Sequence, residues 1–381
     1  MKKMMRIILG LFVLGFTLSA SAKDSIKIGA LVAATGPASF LGDPELKTLE
    51  LYVEKINAAG GVLGKKLELI AYDTGANPKK ATTFVKRLIN QDEVVAIIGG
   101  SASGETMAIL PFIKKAKIPL VSMAGSIKIV KPVKKYAFKT PATDRMACQK
   151  IFAYLKGKGQ TNVALISGNG GFGKSMRGQC KDVSGDYGIT IVADETYGPK
   201  DTDMTAQLTK IKSMSNVQAV VNPGFGQGPA IVTKNFKQLG MTQTLVQSHG
   251  VASKKFIELT GTAGEGVLVA SPPVVVASLL EDSDPIKKIA LSYIKDYEGK
   301  YNASVSTFGG YAFDALNLIV NAMNTAKSAE PKAVRDALES TQGYVGLNGI
   351  FNMSKEDHLG LDLSSGIKML EIKNGNFALA K

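Results

Sequence analysis

Short apolar runs alternate with amphipathic segments along most of this chain. Residues 26–32 and 64–73 contain such runs between turn residues, which predicts strands. Residues 45–59 and 78–90 repeat apolar positions at helical spacing, and the second segment opens on Pro78. Strands and helices in regular alternation predict a parallel sheet with helices on both faces.

The alternation restarts at Asp144 and continues to residue 247, which predicts a second unit of the same kind. Helical patterns follow at residues 286–301, 308–326 and 332–339, before short strand-like pieces end the chain. A chain that leaves one unit, builds another and returns twice joins the two by several strands. The predicted fold class is therefore α/β, with two doubly wound parallel-sheet lobes joined by a multi-strand hinge.

The predicted lobes are discontinuous in sequence. Lobe 1 comprises residues 23–142 and 271–341, and lobe 2 comprises residues 143–270 and 342–381. We expect lobe 1 to anchor a ligand and lobe 2 to close over it.

Two consecutive strand–helix turns lie between Val94 and Ser126. The first apolar run leads into Gly99-Gly-Ser-Ala-Ser103, and the second leads into Ser122-Met-Ala-Gly-Ser126. Each turn places backbone N–H groups and hydroxyls at the carboxyl end of a strand, where a helix N-terminus favours an anion. The turns thus predict a carboxylate site. The alternative is that Ser103 and Ser126 only cap their helices, which is the commoner case when such turns are considered alone.

The first 22 residues have the pattern of a signal peptide. Residues 1–6 are basic, residues 7–18 are apolar but too short to span a bilayer, and Ala20-Ser21-Ala22 is a cleavage site. No cysteine follows to carry a lipid. We therefore expect cleavage after Ala22, export to the periplasm and no lipid anchor.

The formal net charge of +14 does not indicate nucleic-acid binding, because the lysines are scattered and form no basic tract interleaved with aromatic residues. The two cysteines, Cys148 and Cys180, are an even number in an oxidising compartment. A disulfide and two buried thiols remain equally open, because the distance between their Cα atoms is not readable from sequence.

Residues 168–175 fit the phosphate-loop pattern, since Gly168 and Gly173 precede Lys174-Ser175 at the required spacing. We interpret the match as a coincidence, because no other strand ends in a Mg²⁺-binding Asp and an exported protein meets little nucleotide. No other catalytic motif occurs, and only two histidines are present. We expect a protein that is not an enzyme and needs no cofactor or metal.

Several stretches resemble the type I periplasmic solute-binding proteins of the branched-chain (hydrophobic) amino acid ABC transporters. They recur in register over essentially the whole mature chain, and the block from Asn57 to Ala81 is the most specific. The matching stretches are Ile28-Gly-Ala with Thr35-Gly-Pro37, Ile56-Asn-Ala-Ala-Gly-Gly-Val-Leu-Gly-Lys65, Tyr72-Asp73, Pro78-Lys-Lys-Ala81, Ile97-Ile-Gly-Gly-Ser101 and Tyr311-Ala-Phe-Asp-Ala315.

The resemblance implies which residues bind the ligand. In relatives that bind leucine-like ligands, the two turns hold the ligand carboxylate, and the matching positions here are Ser103, Ala124 and Ser126. This favours ligand contact over capping alone. The aromatic contacts of the second lobe fall on Phe172 and Phe225, and the predicted site also includes Leu41 and His249.

This chain departs from the amino-acid-binding pattern where relatives place a glutamate for the ligand's ammonium, because His249 stands there. A buried ammonium without a carboxylate partner is expensive, so an aromatic or other hydrophobic acid is as much a candidate as an amino acid. A histidine that only hydrogen-bonds within its own loop is the plainer alternative. A loop with Tyr197, Asp201 and Asp203 is a further possible source of a carboxylate for an amine.

The resemblance predicts a monomeric substrate-binding component that closes on a small hydrophobic carboxylate and delivers it to a membrane permease. The alternative is a receptor of the same fold that senses the ligand and acts in signalling rather than uptake.

Overall fold

The computed structural model describes residues 25–381. The predicted signal peptide, residues 1–22, lies outside the described residues. Strands and helices alternate from β1 onward. The strands are β1 (Ile26–Val32), β2 (Leu67–Asp73), β3 (Ala96–Gly99), β4 (Leu120–Ser122), β5 (Ala137–Lys139), β6 (Asn162–Gly168), β7 (Thr190–Tyr197), β8 (Ala219–Asn222), β9 (Thr244–Gln247), β10 (Leu268–Ser271), β11 (Tyr344–Val345), β12 (Ile350–Phe351), β13 (Lys368–Lys373) and β14 (Asn376–Leu379). The helices are α1 (Ser39–Ala58), α2 (Pro78–Asn90), α3 (Ser103–Ala116), α4 (Asp144–Gly157), α5 (Gly171–Val183), α6 (Thr205–Lys212), α7 (Gln227–Gln238), α8 (Lys254–Thr260), α9 (Pro285–Tyr301), α10 (Thr307–Ala326), α11 (Pro331–Glu339) and α12 (Leu363–Gly366).

The first lobe is built on a five-stranded parallel sheet with the order β2-β1-β3-β4-β5. Its central strands are buried on both faces, as expected for apolar runs enclosed between helices. Because the strands are parallel, the turns after β1, β3 and β4 meet at one edge of the sheet.

The second lobe is built on a seven-stranded sheet with the order β14-β13-β10-β9-β8-β6-β7. Strands β6 to β10 are parallel, whereas β13 and β14 add an antiparallel edge. The sequence-based expectation of two α/β parallel-sheet lobes is confirmed, although β10 was not among the predicted strands.

The chain passes between the lobes three times. It leaves the first sheet after β5, returns after β10 to place α9 and α10 beside α1 and α11 against α10, and enters the second sheet again at β13. A buried hydrogen bond of 2.8 Å between the hydroxyls of Thr48 and Tyr293 joins α1 to α9. Among residues 25–381, no helix is both long and apolar enough to cross a bilayer.

Helix α1 begins earlier than the predicted position at residue 45, because Gly42 lets it approach the first sheet. A Cβ at Gly42 would lie 2.2 Å from the carbonyl carbon of Ala33, so any larger residue would push the helix away. The extended helix brings Leu41 to the edge of the sheet where the strand–helix turns lie.

Cys148 in α4 and Cys180 in α5 form a disulfide, which resolves the choice that the sequence left open. Their sulfur atoms are bonded, their Cα atoms are 5.0 Å apart, and both side chains are fully buried. The bond joins two residues of the second lobe that are 32 positions apart in the sequence.

Replacing both cysteines by alanine should lower the free energy of unfolding by about 2 to 4 kcal/mol, because the bond restricts the unfolded chain. Urea unfolding of the wild type and of the C148A/C180A variant measures this difference. Reductant should destabilise the wild type and leave the variant unchanged. Two thiols titrating in denatured, unreduced wild type would contradict the bond.

Candidate ligand-binding cleft

A cavity lies between the two lobes, at the carboxyl ends of the sheet strands. We call it the binding cavity. Its walls combine apolar side chains with a few polar groups, as is usual for small-molecule sites. It is lined by Leu41, Ser101, Ala102, Ser103, Met123, Gly125, Pro141, Phe172, Phe225, His249, Gly250, Phe308 and Tyr311.

Ser103 is the first residue of α3, so the N-terminus of this helix points at the cavity. The Glu105 side chain accepts a hydrogen bond from the backbone N–H of Ala102 at 2.9 Å and holds the turn in place. The Ser103 hydroxyl oxygen accepts from the backbone N–H of Ser126 at 3.2 Å. Its O–H therefore remains available to donate to a ligand oxygen.

The second turn reaches the cavity through Met123 and Gly125, while Ala124 and Ser126 do not line it. The N–H of Ala124 donates to the Ser122 hydroxyl at 3.1 Å. The Ser126 hydroxyl lies 2.6 Å from that of Ser175 in α5 and accepts from the N–H of Lys128. The structure thus places Ser126 in a hydrogen bond between the lobes and in a cap.

Two phenylalanines from the second lobe form an aromatic wall of the cavity. Phe172 lies on α5 and Phe225 follows β8, with ring centroids 6.2 Å apart in an edge-to-face arrangement. Phe172 also meets the His249 ring edge-to-face at 5.3 Å. Such a wall suits an alkyl chain or an aromatic ring.

His249 is held beside these rings by its neighbour Ser248. The Ser248 hydroxyl donates to the carbonyl oxygen of Gly224 at 2.6 Å and accepts from the N–H of Gly250 at 3.1 Å. The imidazole is only 2% exposed, and neither ring nitrogen has a hydrogen-bond partner among the described residues. Burial lowers the pKa of His249 to about 3, with a further contribution from the charge of Lys139. The ring is therefore neutral.

Lys139 at the end of β5 is a fully buried basic side chain behind the cavity. Its Nζ donates to the carbonyl oxygens of Gly125 at 3.1 Å and Ala142 at 3.2 Å. Burial lowers the pKa of Lys139 to about 7, and the charge of Asp144 opposes this shift. Asp144 itself accepts hydrogen bonds from the backbone N–H groups of Ile127 and Arg145.

Sequence reasoning missed Ser101 and Tyr311, the remaining polar side chains of the cavity wall. The Ser101 hydroxyl donates to Glu45 and accepts from the N–H of Ala33 at 2.9 Å. The Tyr311 hydroxyl is buried and unpartnered within residues 25–381, and the Thr307 hydroxyl one turn earlier donates to Ala252 instead. Both residues lay in stretches that carried the family resemblance, so their motifs were the available signal.

The apolar residues Met123, Pro141 and Phe308 were also missed, because they come together only through the folding of distant segments within the first lobe. Of the residues predicted for the site, Leu41, Ser103, Phe172, Phe225 and His249 meet at the cavity.

The acidic loop after β7 lies apart from the binding cavity. Asp201 accepts a hydrogen bond from the N–H of Gly198 at 2.7 Å, and Asp203 accepts from the N–H of Thr205 at 2.8 Å. The Tyr197 hydroxyl donates to the side-chain oxygen of Asn222 at 3.0 Å. None of the three lines the cavity, and within the described part of the chain no cluster of acidic, His or Cys residues is arranged to hold a metal ion.

The segment that fits the phosphate-loop pattern runs from the end of β6 into α5. A Cβ at Gly171 would lie 2.9 Å from the Cα of Gly104, so the first turns of α5 and α3 touch across the cleft. Lys174 is exposed to solvent, and Ser175 is occupied by its bond to Ser126. These residues contribute to the contact between lobes.

Comparison with known proteins identifies the family. The sequence profile described as periplasmic binding protein matches residues 25–376. The chain belongs to the periplasmic binding protein family. The family consists of solute-binding proteins of the periplasm, and the predicted resemblance to the type I members associated with branched-chain amino acid transport is confirmed.

Relatives of this periplasmic binding protein have similar length and fold. The leucine-, isoleucine-, valine-, threonine- and alanine-binding protein of Pseudomonas aeruginosa is 25% identical over 89% of this chain and 88% of its own. The crystal structure of an extracellular ligand-binding receptor from Rhodopseudomonas palustris HaA2 has a TM-score of 0.87 at 26% identity, covering 94% of this chain and all of that one. The substrate-binding protein LivJ of Streptococcus pneumoniae, in complex with isoleucine, has a TM-score of 0.83 at 27% identity, covering 94% and 99%.

Stability should depend on pH through Lys139. Between its folded pKa of about 7 and the usual value of 10.5, the unfolded chain binds a proton that the folded protein does not, so stability rises with pH. Urea unfolding between pH 7.5 and 9 should show a slope about 1.4 kcal/mol per pH unit steeper in the wild type than in K139M. Identical slopes would mean that Lys139 has an ordinary pKa.

Proposed function

We propose that this protein is the substrate-binding component of an ABC transporter. It captures a small hydrophobic carboxylate, either a branched-chain or other hydrophobic amino acid or an aromatic acid, and delivers it to a membrane permease. The observation that carries the proposal is the buried cavity between the lobes, where an anion-favouring helix terminus faces an aromatic wall.

The two walls have different roles in binding. The first-turn amides of α3 and the Ser103 hydroxyl bind the ligand carboxylate, and the turn at Ala124 and Ser126 supports them from behind. Leu41, Phe172 and Phe225 enclose the apolar body of the ligand, and His249 contacts its remaining polar group. Relatives of this chain are named as leucine-, isoleucine- and valine-binding proteins, and this supports a carboxylate of similar size as the ligand.

Ligand capture proceeds by closure of lobe 2, residues 143–270 and 342–381, onto lobe 1, residues 23–142 and 271–341. Contacts made only in the closed form drive such a closure. The Ser126–Ser175 hydrogen bond and the Gly104–Gly171 approach both join α5 to the first lobe and are of this kind.

The protein works as an exported monomer that catalyses no reaction. Cleavage after Ala22 releases it into the periplasm without a lipid anchor. The closed lobes together form the surface that the permease recognises.

Replacing Ser103 by alanine should weaken binding of the carboxylate ligand by about 1 to 3 kcal/mol, because a charge-assisted hydrogen bond is lost. Calorimetry with leucine and with phenylacetate, whichever binds the wild type, measures the change. Ser215→Ala, at an exposed serine far from the cavity, is the matched control and should bind as the wild type does. Equal affinities for both variants would remove Ser103 from the site.

Replacing Gly171 by leucine should weaken ligand binding by about 1 to 3 kcal/mol, because its side chain meets the backbone of Gly104 when the lobes close. Unliganded thermal stability should stay unchanged, since the residue is exposed in its own lobe. Gly178→Leu on the same helix, where a Cβ meets nothing within 4 Å, is the control. If both variants bind alike, closure does not bring these turns together.

A further inference from the structure

The binding cavity contains a buried group that no residue in the described part of the chain satisfies. Both ring nitrogens of His249 lack a partner within the described residues, although the side chain is almost fully buried. An unpaired buried polar group destabilises a protein unless something else bonds to it. The side chain lines the cavity, so the partner that fits is the ligand.

Gly125 packs directly against this imidazole at the wall of the cavity. A Cβ at that position would lie 2.7 Å from Nε2 of His249 and 2.7 Å from a ring carbon of Phe172. Only glycine at residue 125 lets both rings approach the first lobe this closely, and both rings line the same cavity. A ligand whose apolar body contacts Phe172 has its polar group within reach of the imidazole.

The charges around the cavity favour anions over cations. No carboxylate is among the residues that line it. The N-terminus of α3 faces the cavity, and the ammonium of Lys139, which is protonated below its pKa of about 7, lies directly behind Gly125. The carboxyl group nearest in the hydrogen-bond network, Glu45, is bonded to Ser101 behind the wall, and burial raises its pKa well above the usual value. Asp144 does not line the cavity; its Oδ1 accepts from backbone N–H groups, and its Oδ2 is buried without a partner among the described residues.

An ammonium group in this cavity would therefore have no counter-charge. Burying an unpaired ammonium is far more costly than burying a neutral polar group that finds a hydrogen bond. A neutral imidazole offers one N–H donor and one acceptor nitrogen, which matches a hydroxyl or a carbonyl oxygen.

We infer that His249 is a specificity-determining residue that selects a hydrophobic carboxylate whose second polar group is an uncharged oxygen, and that rejects the corresponding amino acid. This inference rests on the proposed function, because it assumes that the cavity binds a small carboxylate. Within that class it identifies hydroxy and oxo acids as the ligands.

The test compares acids that differ only in that second group. One set is leucine, 2-hydroxy-4-methylpentanoate, 4-methyl-2-oxopentanoate and 4-methylpentanoate, and the aromatic set is phenylalanine, 3-phenyllactate, phenylpyruvate and 3-phenylpropanoate. Calorimetry on the wild type should show that a hydroxy or oxo acid binds at least tenfold more tightly than both its amino and its unsubstituted counterpart.

Two variants test the role of the imidazole directly. His249→Glu supplies a counter-charge and should reverse the order, so that the amino acid binds at least tenfold more tightly than the oxo acid. His249→Gln keeps a neutral donor and acceptor and should retain the wild-type order. The order measured on the wild type decides the question if either variant fails to fold.

Failure of this inference and failure of the proposed function give different results in these experiments. If the wild type binds the amino acid as tightly as the hydroxy and oxo acids, the inference is overturned and the proposed function stands. If the unsubstituted acids bind as tightly as the hydroxy and oxo acids, the ligand makes no favourable hydrogen bond to His249, and the inference is overturned as well. Binding of no acid from either set would overturn both the inference and the proposed function.

Discussion

The geometry of the cleft depends on a run of hydrogen bonds between serines at the contact of the two lobes. Ser103 accepts from the backbone of Ser126, whose hydroxyl is bonded to Ser175 of the opposite lobe. These groups lie at strand ends and helix starts, and a rotation of one lobe against the other would separate Ser126 from Ser175. Because these hydroxyls are buried, they need hydrogen-bond partners, and the contact between the lobes supplies those partners from the protein itself. The turn at Gly125 is thereby held where it faces the cavity.

The architecture was largely predictable because alternating strands and helices leave a periodic signal. The helix at Pro78–Asn90 was predicted to its exact limits, since proline and an Asn cap mark its start. Strand β10 was not predicted, because its four buried residues resemble any other short apolar stretch between turns. The start of α1 was placed too late, because the tight approach of Gly42 to Ala33 is a tertiary contact that leaves no local pattern.

The site was predictable only in part, again because tertiary contacts leave no local pattern in the sequence. Ser103 follows an apolar strand and begins a helix, so its position at the sheet edge could be inferred from local sequence. Tyr311 lies on a helix more than 200 residues after Ser103, and no periodic pattern in the sequence indicates that it approaches the cavity. The pairing of Ser126 with Ser175 likewise depends on how two lobes meet. The disulfide was undecided because cysteine spacing says nothing about Cα distance.

The disulfide lies entirely inside the second lobe and joins α4 to the helix that carries Phe172 and Ser175. None of the three interlobe connections is covalently cross-linked within residues 25–381. The cross-link therefore raises the resistance of the second lobe to unfolding without restricting the connections between the lobes. Stability and the freedom of the two lobes to reorient are set by different parts of the chain.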